Sequence, residues 1–360
     1  MTELFPHQRK IAEWIIRNNY TGILSIAPGA GVWYALLGAI KELPPDQIVI
    51  LVVPHLDLVD QYDVLLSESG VPDSDFVVAG PTNDDWQTEI EKLGQKTKAP
   101  NDQHPNQSLL GSEAPNIVVA TLQTVRRQKN EFDRRTANQI LIIDEVESTS
   151  DLILSDITEL ASRRLGVTSL PPEWFENQQG DEIKRHFGEQ TYAYSIEQAI
   201  ADDVLNRYEY IPIVARLSLG ESENYQKLQK KISRMYASNK GSNNQTEVFQ
   251  ATLQQQQLQV DAEAKYRKLR DLLRTGVETP ILIVAERVKQ VNKIEEIIES
   301  GLSGQSSEYG TPMKCLGKTE KAERVHMMEK VFGDLSDQVQ AEVVIATHAT
   351  IPDSPTWGAR

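Results

Sequence analysis

Apolar and polar positions along this chain follow two alternating periods. Short runs that are apolar almost throughout recur at residues 22–27, 48–53, 76–79, 117–121, 140–144 and 165–168, and stretches with apolar residues every three or four positions lie between them. Uninterrupted apolar runs suit central strands covered on both faces, and their alternation with amphipathic helices predicts a parallel sheet wrapped by helices, a doubly wound α/β lobe. Polar residues gather at the C-terminal ends of these runs, where such sheets bind their ligands.

Beyond residue 171 the pattern changes. An acidic helix near 195–203, a strand-like segment at 208–217 and a basic helix from 221 to about 236 precede a polar tract at 238–257 that reads as a hinge or disordered connector. A second α/β series follows, with helices at 261–274, 288–300 and 321–332 and strands at 281–285, 313–316 and 343–347. The expected layout is a first lobe over 1–170, an inter-lobe segment over 171–258 and a shorter second lobe over 259–360. Between the third and fourth strands, residues 95–115 are rich in Asn, Gln, Pro and Ser and predict a surface insertion. No apolar stretch approaches the roughly 18 residues of a membrane span, so no membrane partner is expected.

Composition narrows the partners. Thirty-seven basic and 52 acidic residues give a net charge of −15, which repels nucleic acid over the molecule as a whole and makes any nucleic-acid site a local one. Residues 227–274 hold ten basic and four acidic side chains, a segment charge of +6 against −21 for the remainder. The single cysteine, Cys315, forbids an intramolecular disulfide and points to the cytoplasm, and the six histidines show no metal-ligand spacing.

Candidate chemistry begins where the first strand empties into Ala27-Pro28-Gly29-Ala30-Gly31, with a helical run from about Trp33 onward. Glycines there let backbone N–H groups turn inward, and a helix start adds partial positive charge, the makings of a phosphate cradle. A working loop of this kind ends in Lys followed by Ser or Thr; Val32 and Trp33 hold those positions here. Asp144 and Glu145 follow the apolar run 140–143, where an aspartate can hold Mg²⁺ through water and a glutamate can orient an attacking water.

Taken in order, these segments resemble the superfamily 2 helicases, nearest to the DEAD/DEAH-like motors of type I and type III restriction enzymes and their DNA-repair relatives. Phe5-Pro6-His7-Gln8-Arg9 is similar to the family's adenine-sensing segment, which implies that Gln8 reads the base. Val53-Pro54-His55 and Ala120-Thr121-Leu122-Gln123-Thr124 resemble motifs that line the nucleic-acid backbone, implicating Pro54, His55, Thr121 and Gln123, with Arg126 and Arg127 as adjoining phosphate contacts. Asp144-Glu145-Val146-Glu147 stands at the Asp-Glu-x-His position, and Gly166 to Pro171, with Thr168 and Ser169, at the segment that couples nucleotide to movement. The resemblance implies two RecA-like lobes, the second incomplete. Nucleotide would be held by Gln8, Gly29, Ala30, Gly31, Val32 and Trp33, and Asp144 and Glu145 would be catalytic, with Asp144 on Mg²⁺. It also implies DNA as the polymer and a protein partner in a restriction or repair assembly.

The departures bear on activity. Losing one member of a buried charge pair costs about 3 to 5 kcal/mol, or on the order of 10² to 10⁴ in affinity or rate at about 1.4 kcal/mol per decade. Val32 removes the loop cation, Trp33 replaces a hydroxyl ligand with a ring, and no Gly-Arg-x-x-Arg follows the last strand. Two readings follow. One is a nucleic-acid-binding protein derived from an ATP-driven translocase, with ATP and Mg²⁺ weakly held; the other is a non-enzymatic pseudo-helicase that binds or scaffolds.

Overall fold

A computed structural model describes residues 4–44, 47–80, 83–96, 116–133, 139–237, 243–300, 312–320, 323–324, 326–327 and 343–347. It divides into two compact units, the first ending at Tyr208 and the second beginning at Glu209.

The first unit carries helices α1 (Pro6–Arg17), α2 (Val32–Ile40), α3 (Leu56–Glu68), α4 (Trp86–Lys96), α5 (Leu122–Arg127), α6 (Lys129–Asp133), α7 (Asp151–Ile157), α8 (Gln178–Phe187) and α9 (Ile196–Ala201). Its strands are β1 (Gly22–Ile26), β2 (Ile48–Val53), β3 (Phe76–Ala79), β4 (Asn116–Thr121), β5 (Gln139–Ile143), β6 (Arg163–Thr168) and β7 (Thr191–Tyr194). They form one seven-stranded sheet in the order β3-β4-β2-β5-β6-β1-β7, parallel at every pairing. The six apolar runs of the sequence are β1 to β6, and β1, β2, β4 and β5 are buried at every residue.

Two cores follow from this sheet, one on each face. Val49, Leu51, Ile140, Ile142, Leu165 and Val167 pack with α1, α2 and α3 on one side. Ile50, Val52, Leu141 and Ile143 pack with α7, α8 and Phe132 on the other. The alternation within each strand shows why both faces had to be apolar.

The first unit runs on past residue 170. Thr191–Tyr194 pairs with β1 in parallel, Ile23 opposite Thr191 and Ile26 opposite Tyr194, so a seventh strand closes that edge. Phe187, on α8, is fully buried in the second core beside Phe175. Two other expectations change. Residues 208–217 are irregular and exposed, apart from the half-buried Ala215 and Leu217, rather than a strand. Most of the polar tract is helix, Asn243–Val260. The insertion predicted at 95–115 lies almost wholly outside the described residues, as does most of the helix predicted at 321–332.

The second unit contains helices α10 (Leu219–Ala237), α11 (Asn243–Val260), α12 (Glu263–Arg274) and α13 (Val288–Glu299) and strands β8 (Ile281–Ala285), β9 (Met313–Cys315) and β10 (Val343–Thr347). These strands form a small parallel sheet with β10 in the centre, Val344 opposite both Leu282 and Met313. Val291, Ile294, Ile297 and Ile298 of α13 cover it together with Tyr266 and Leu273 of α12, and Cys315 is buried in β9. The Glu221 carboxylate accepts from the backbone N–H of Ser218 and of Glu263, which ties the start of α10 to the start of α12 and holds the carboxyl below its usual range. Among the described residues no helix is long and apolar enough to cross a membrane.

If the segment after β6 is part of the first unit's core, Phe187→Ala should cost about 3 to 5 kcal/mol, as for other fully buried phenylalanines. Urea unfolding of the chain, followed by the near-ultraviolet signal, should show that loss; a change under 1 kcal/mol would place α8 outside the core.

Candidate functional site

Parallel pairing brings the two chemical segments to one end of one sheet. Ile143 of β5 lies opposite Gly166 of β6, which lies opposite Ile23 of β1. At about 4.8 Å per strand, β1 and β5 are roughly 10 Å apart with β6 between them. The loop at 27–31 leaves the C-terminal end of β1, and Asp144 leaves the same end of β5.

The glycine loop has the expected backbone. Gly29 and Gly31 both lie at positive φ, +80° and +73°, and Gly31 is the left-handed cap of α2. A side chain at Gly31 would also meet the Gln8 amide nitrogen at 2.5 Å, so glycine is required twice over. The loop is braced from α1: the carbonyl of Ala30 accepts from His7 Nε2 at 2.8 Å and from Gln8 Nε2 at 3.5 Å. Since a carbonyl only accepts, His7 carries its proton on Nε2. Gln8 Oε1 in turn accepts from the Phe5 N–H at 3.1 Å, so both ends of this amide are engaged inside the protein. His7 is buried in a stack, 5.1 Å from the ring of Tyr194 and 6.1 Å from that of Phe5.

Beyond Gly31 the departures of the sequence acquire a shape. Val32 is half-buried, and Trp33, 3 % exposed, packs edge-on against Tyr62 of α3 with ring centroids 4.3 Å apart. Tyr62 donates its hydroxyl to Asp144 Oδ2 at 2.8 Å, and Asp144 Oδ1 accepts the Glu145 N–H at 3.0 Å. Trp33, Tyr62 and Asp144 thus form a continuous chain from the first turn of α2 to the end of β5. The indole Nε1 of Trp33 is buried without a hydrogen-bond partner, a donor that carries no charge. Glu145 sits in the left-handed region at φ 48° and begins a single 3₁₀ turn, Val146–Ser148, closed by Ser148 Oγ donating to the Glu145 carbonyl at 2.8 Å.

Tyr62 is the residue that sequence reasoning missed. Its only signal is spacing: Leu58, Val59, Tyr62, Leu65 and Leu66 recur at helical intervals and mark the face of α3 that is buried. Burial and, after it, the Asp144 charge push the phenol well above its ordinary range.

The other predicted residues divide into two groups. Val53 lies opposite Thr121, so Pro54 and His55 leave β2 beside the point where Gln123, Arg126 and Arg127 leave β4. His55, Gln123, Arg126 and Arg127 are exposed, whereas Thr121 is buried and caps α5, its Oγ1 accepting from the Thr124 N–H at 3.1 Å. Arg126 Nε lies 3.9 Å from Asp156, a partly exposed contact worth little. Thr168 is buried, and its hydroxyl accepts from the Leu170 N–H at 3.0 Å; Ser25 of β1 donates to the Leu170 carbonyl at 2.6 Å, while Ser169 is exposed. Among the described residues no three His, Cys, Asp or Glu side chains gather as a metal-binding group.

The raised phenol gives a pH signature. A folded pKa above the unfolded value of about 10 contributes stability that is complete below pH 10 and is lost as pH rises through the folded value. Tyr62→Phe should therefore flatten part of the alkaline loss of stability, and Asp144→Asn should bring one tyrosine to a lower pKa in an ultraviolet titration. An unchanged tyrosine titration in Asp144→Asn would contradict the contact.

Residues 1–173 match the family model described as type III restriction enzyme, res subunit. No curated protein matches the sequence. Among solved structures, the Hef helicase domain of Pyrococcus furiosus is 12 % identical, with 95 % of this chain and 85 % of that one covered and a TM-score of 0.49. The Sulfolobus solfataricus SWI2/SNF2 ATPase core in complex with dsDNA is 16 % identical, with 96 % and 78 % covered and a TM-score of 0.40. Residues 1–173, which make up most of the seven-stranded unit, are thus similar to the res subunit of type III restriction enzymes, and the chain as a whole carries two separate parallel α/β sheets.

Proposed function

We propose that this chain is a cytoplasmic, helicase-like nucleic-acid-binding subunit that does not turn over ATP. The observation that carries the reading is the hydrogen bond from Tyr62 to Asp144 beneath the buried ring of Trp33. Asp144 is the carboxylate that would hold Mg²⁺, and both of its oxygens accept from groups of the protein. The loop supplies neither the cation nor the hydroxyl that a metal-bound triphosphate needs, since Val32 and Trp33 stand there. This donor set does not fit Mg²⁺-ATP.

Aligning Asp144 with a phenol instead of a metal ion makes a stable wall, not a reaction centre. A hydrogen bond to a charged acceptor contributes about 1.5 to 3 kcal/mol, and opening it to admit a metal would have to overcome that loss as well as the exposure of Trp33. Glu145 keeps its place beside Asp144, but with no triphosphate positioned it has no water to activate.

Nucleic-acid binding rests on the segments after β2 and β4. The register of β2 and β4 sets His55, the N-cap of α3, beside the exposed face of α5 that carries Gln123, Arg126 and Arg127, at the C-terminal end of the sheet. Two arginines and polar side chains on a short helix at the sheet's C-terminal end suit contacts to phosphate and sugar, which position a strand without reading its sequence. The restriction-enzyme character of the matched family makes DNA the polymer of choice and a restriction or repair assembly the setting for a protein partner.

Phosphate release from ATP, measured with and without DNA, should equal that of a Glu145→Gln control, and millimolar Mg²⁺-ATP should leave the thermal midpoint unchanged. A DNA-stimulated rate well above the control would overturn the reading. Restoring the loop alone, with Val32→Lys and Trp33→Thr, should give weak nucleotide binding; adding Tyr62→Phe should strengthen it by about tenfold or more, because the third change frees Asp144. Equal affinity for the two variants would show that Tyr62 does not obstruct the site.

A further inference from the structure

Helices α10 and α11 pack side by side and are joined by residues 238–242, so they form an antiparallel hairpin in the second unit. Tyr225, Leu228, Ile232 and Met235 of α10 repeat at intervals of three and four and are half-buried, as are Val248, Gln255 and Leu258 around the buried Ala251 of α11. These make the seam. No residue of α10 is fully buried, so most of its surface faces solvent.

That surface is one-sided in charge. Lys227, Lys230, Lys231 and Arg234 are all exposed. At 100° per residue they fall within an arc of about 100° centred roughly 130° from the seam, and they extend over about 10 Å of helix. From Gln226 to Ala237 there is no acidic residue, although acids exceed bases by 52 to 37 in the whole chain. Glu223, on the same side one turn earlier, makes no ion pair among the described residues, and neither do the four basic side chains. Along α11 the single charged residue is Glu247.

A helix face that serves only for solubility mixes both signs and sets them at i,i+4 spacing, as Glu13 and Arg17 are set in α1. Four adjacent cations whose nearest acid on that side, Glu223, lies at the end of the stripe and pairs with none of them repel one another, a cost that a polyanion removes. Over about 10 Å of its axis one strand of duplex DNA presents about three phosphates, which matches the length of the stripe.

We infer that the outer face of α10, Lys227, Lys230, Lys231 and Arg234, is a docking surface for the phosphate backbone of DNA, separate from the segments after β2 and β4. The inference builds on the nucleic-acid reading above but uses none of its residues. It predicts sequence-independent, salt-sensitive binding, because cations on a helix face release counterions without touching base edges.

Fluorescence anisotropy of a labelled DNA duplex, titrated with the full chain at several salt concentrations, tests it. The variant Lys227→Gln, Lys230→Gln, Lys231→Gln, Arg234→Gln should bind at least about tenfold more weakly at moderate salt. Its slope of log affinity against log salt should be shallower by about 2 to 4, since each lost phosphate contact removes about 0.9. Its thermal midpoint and circular dichroism should match the wild type. Arg126→Gln with Arg127→Gln serves as the comparison. If the α10 variant keeps wild-type affinity and slope while the Arg126 and Arg127 variant weakens, the hairpin surface is refuted and the α5 reading stands. Should the wild type bind no nucleic acid, both fall, and binding to anionic phospholipid vesicles in place of DNA would equally overturn the proposal.

Discussion

The arrangement around the glycine loop depends on one hydrogen bond, from the Tyr62 phenol to Asp144, made beneath an indole that has no room to swing away. In a site built for a metal-bound triphosphate, a carboxylate at the end of β5 faces a cation, and the loop after β1 supplies another positive group. Here the same carboxylate faces a phenol, and the loop supplies a hydrocarbon and an aromatic ring. Trp33 and Tyr62 fit one another: the ring at position 33 packs edge-on against the phenol, and the phenol's hydroxyl is donated to Asp144.

The frame around this contact is intact because a different set of forces maintains it. The sheet is held by parallel register and by apolar strands packed on both faces, none of which involves nucleotide. The loop keeps its positive φ angles because His7 and Gln8 brace the Ala30 carbonyl and because the Gln8 amide lies where any side chain at position 31 would go. The loop's outline is thus fixed by contacts within the protein and does not depend on a bound ligand.

How much of this was legible follows from what each residue does locally. Strands covered on both faces announce themselves as apolar runs, and their order alone placed Gly31 and Asp144 at one sheet end. The strand Thr191–Tyr194 did not announce itself, because an edge strand with partly exposed residues needs no such run. Residues 208–217 carry strand-like composition but gain no pairing, and Pro212 lacks a donor for a ladder. The glutamine tract suggested disorder by composition, yet glutamine is a good helix former, and the three-and-four spacing of Val248, Ala251, Gln255 and Leu258 gives α11 a seam to pack. Tyr62 was out of reach, since its role is a contact between elements far apart in sequence.

The pair of bonds at Leu170 has a mechanical corollary. Its carbonyl is pinned by Ser25 of the neighbouring strand and its amide by Thr168, so the turn after β6 is stapled to the strand that leads into the glycine loop. Ser25, two residues before the loop begins, is therefore an anchor that the loop and this turn share. The next residue, Pro171, is held in turn by its carbonyl, which accepts from the Trp174 N–H at 3.0 Å, so the staple continues into the segment that packs beneath the sheet.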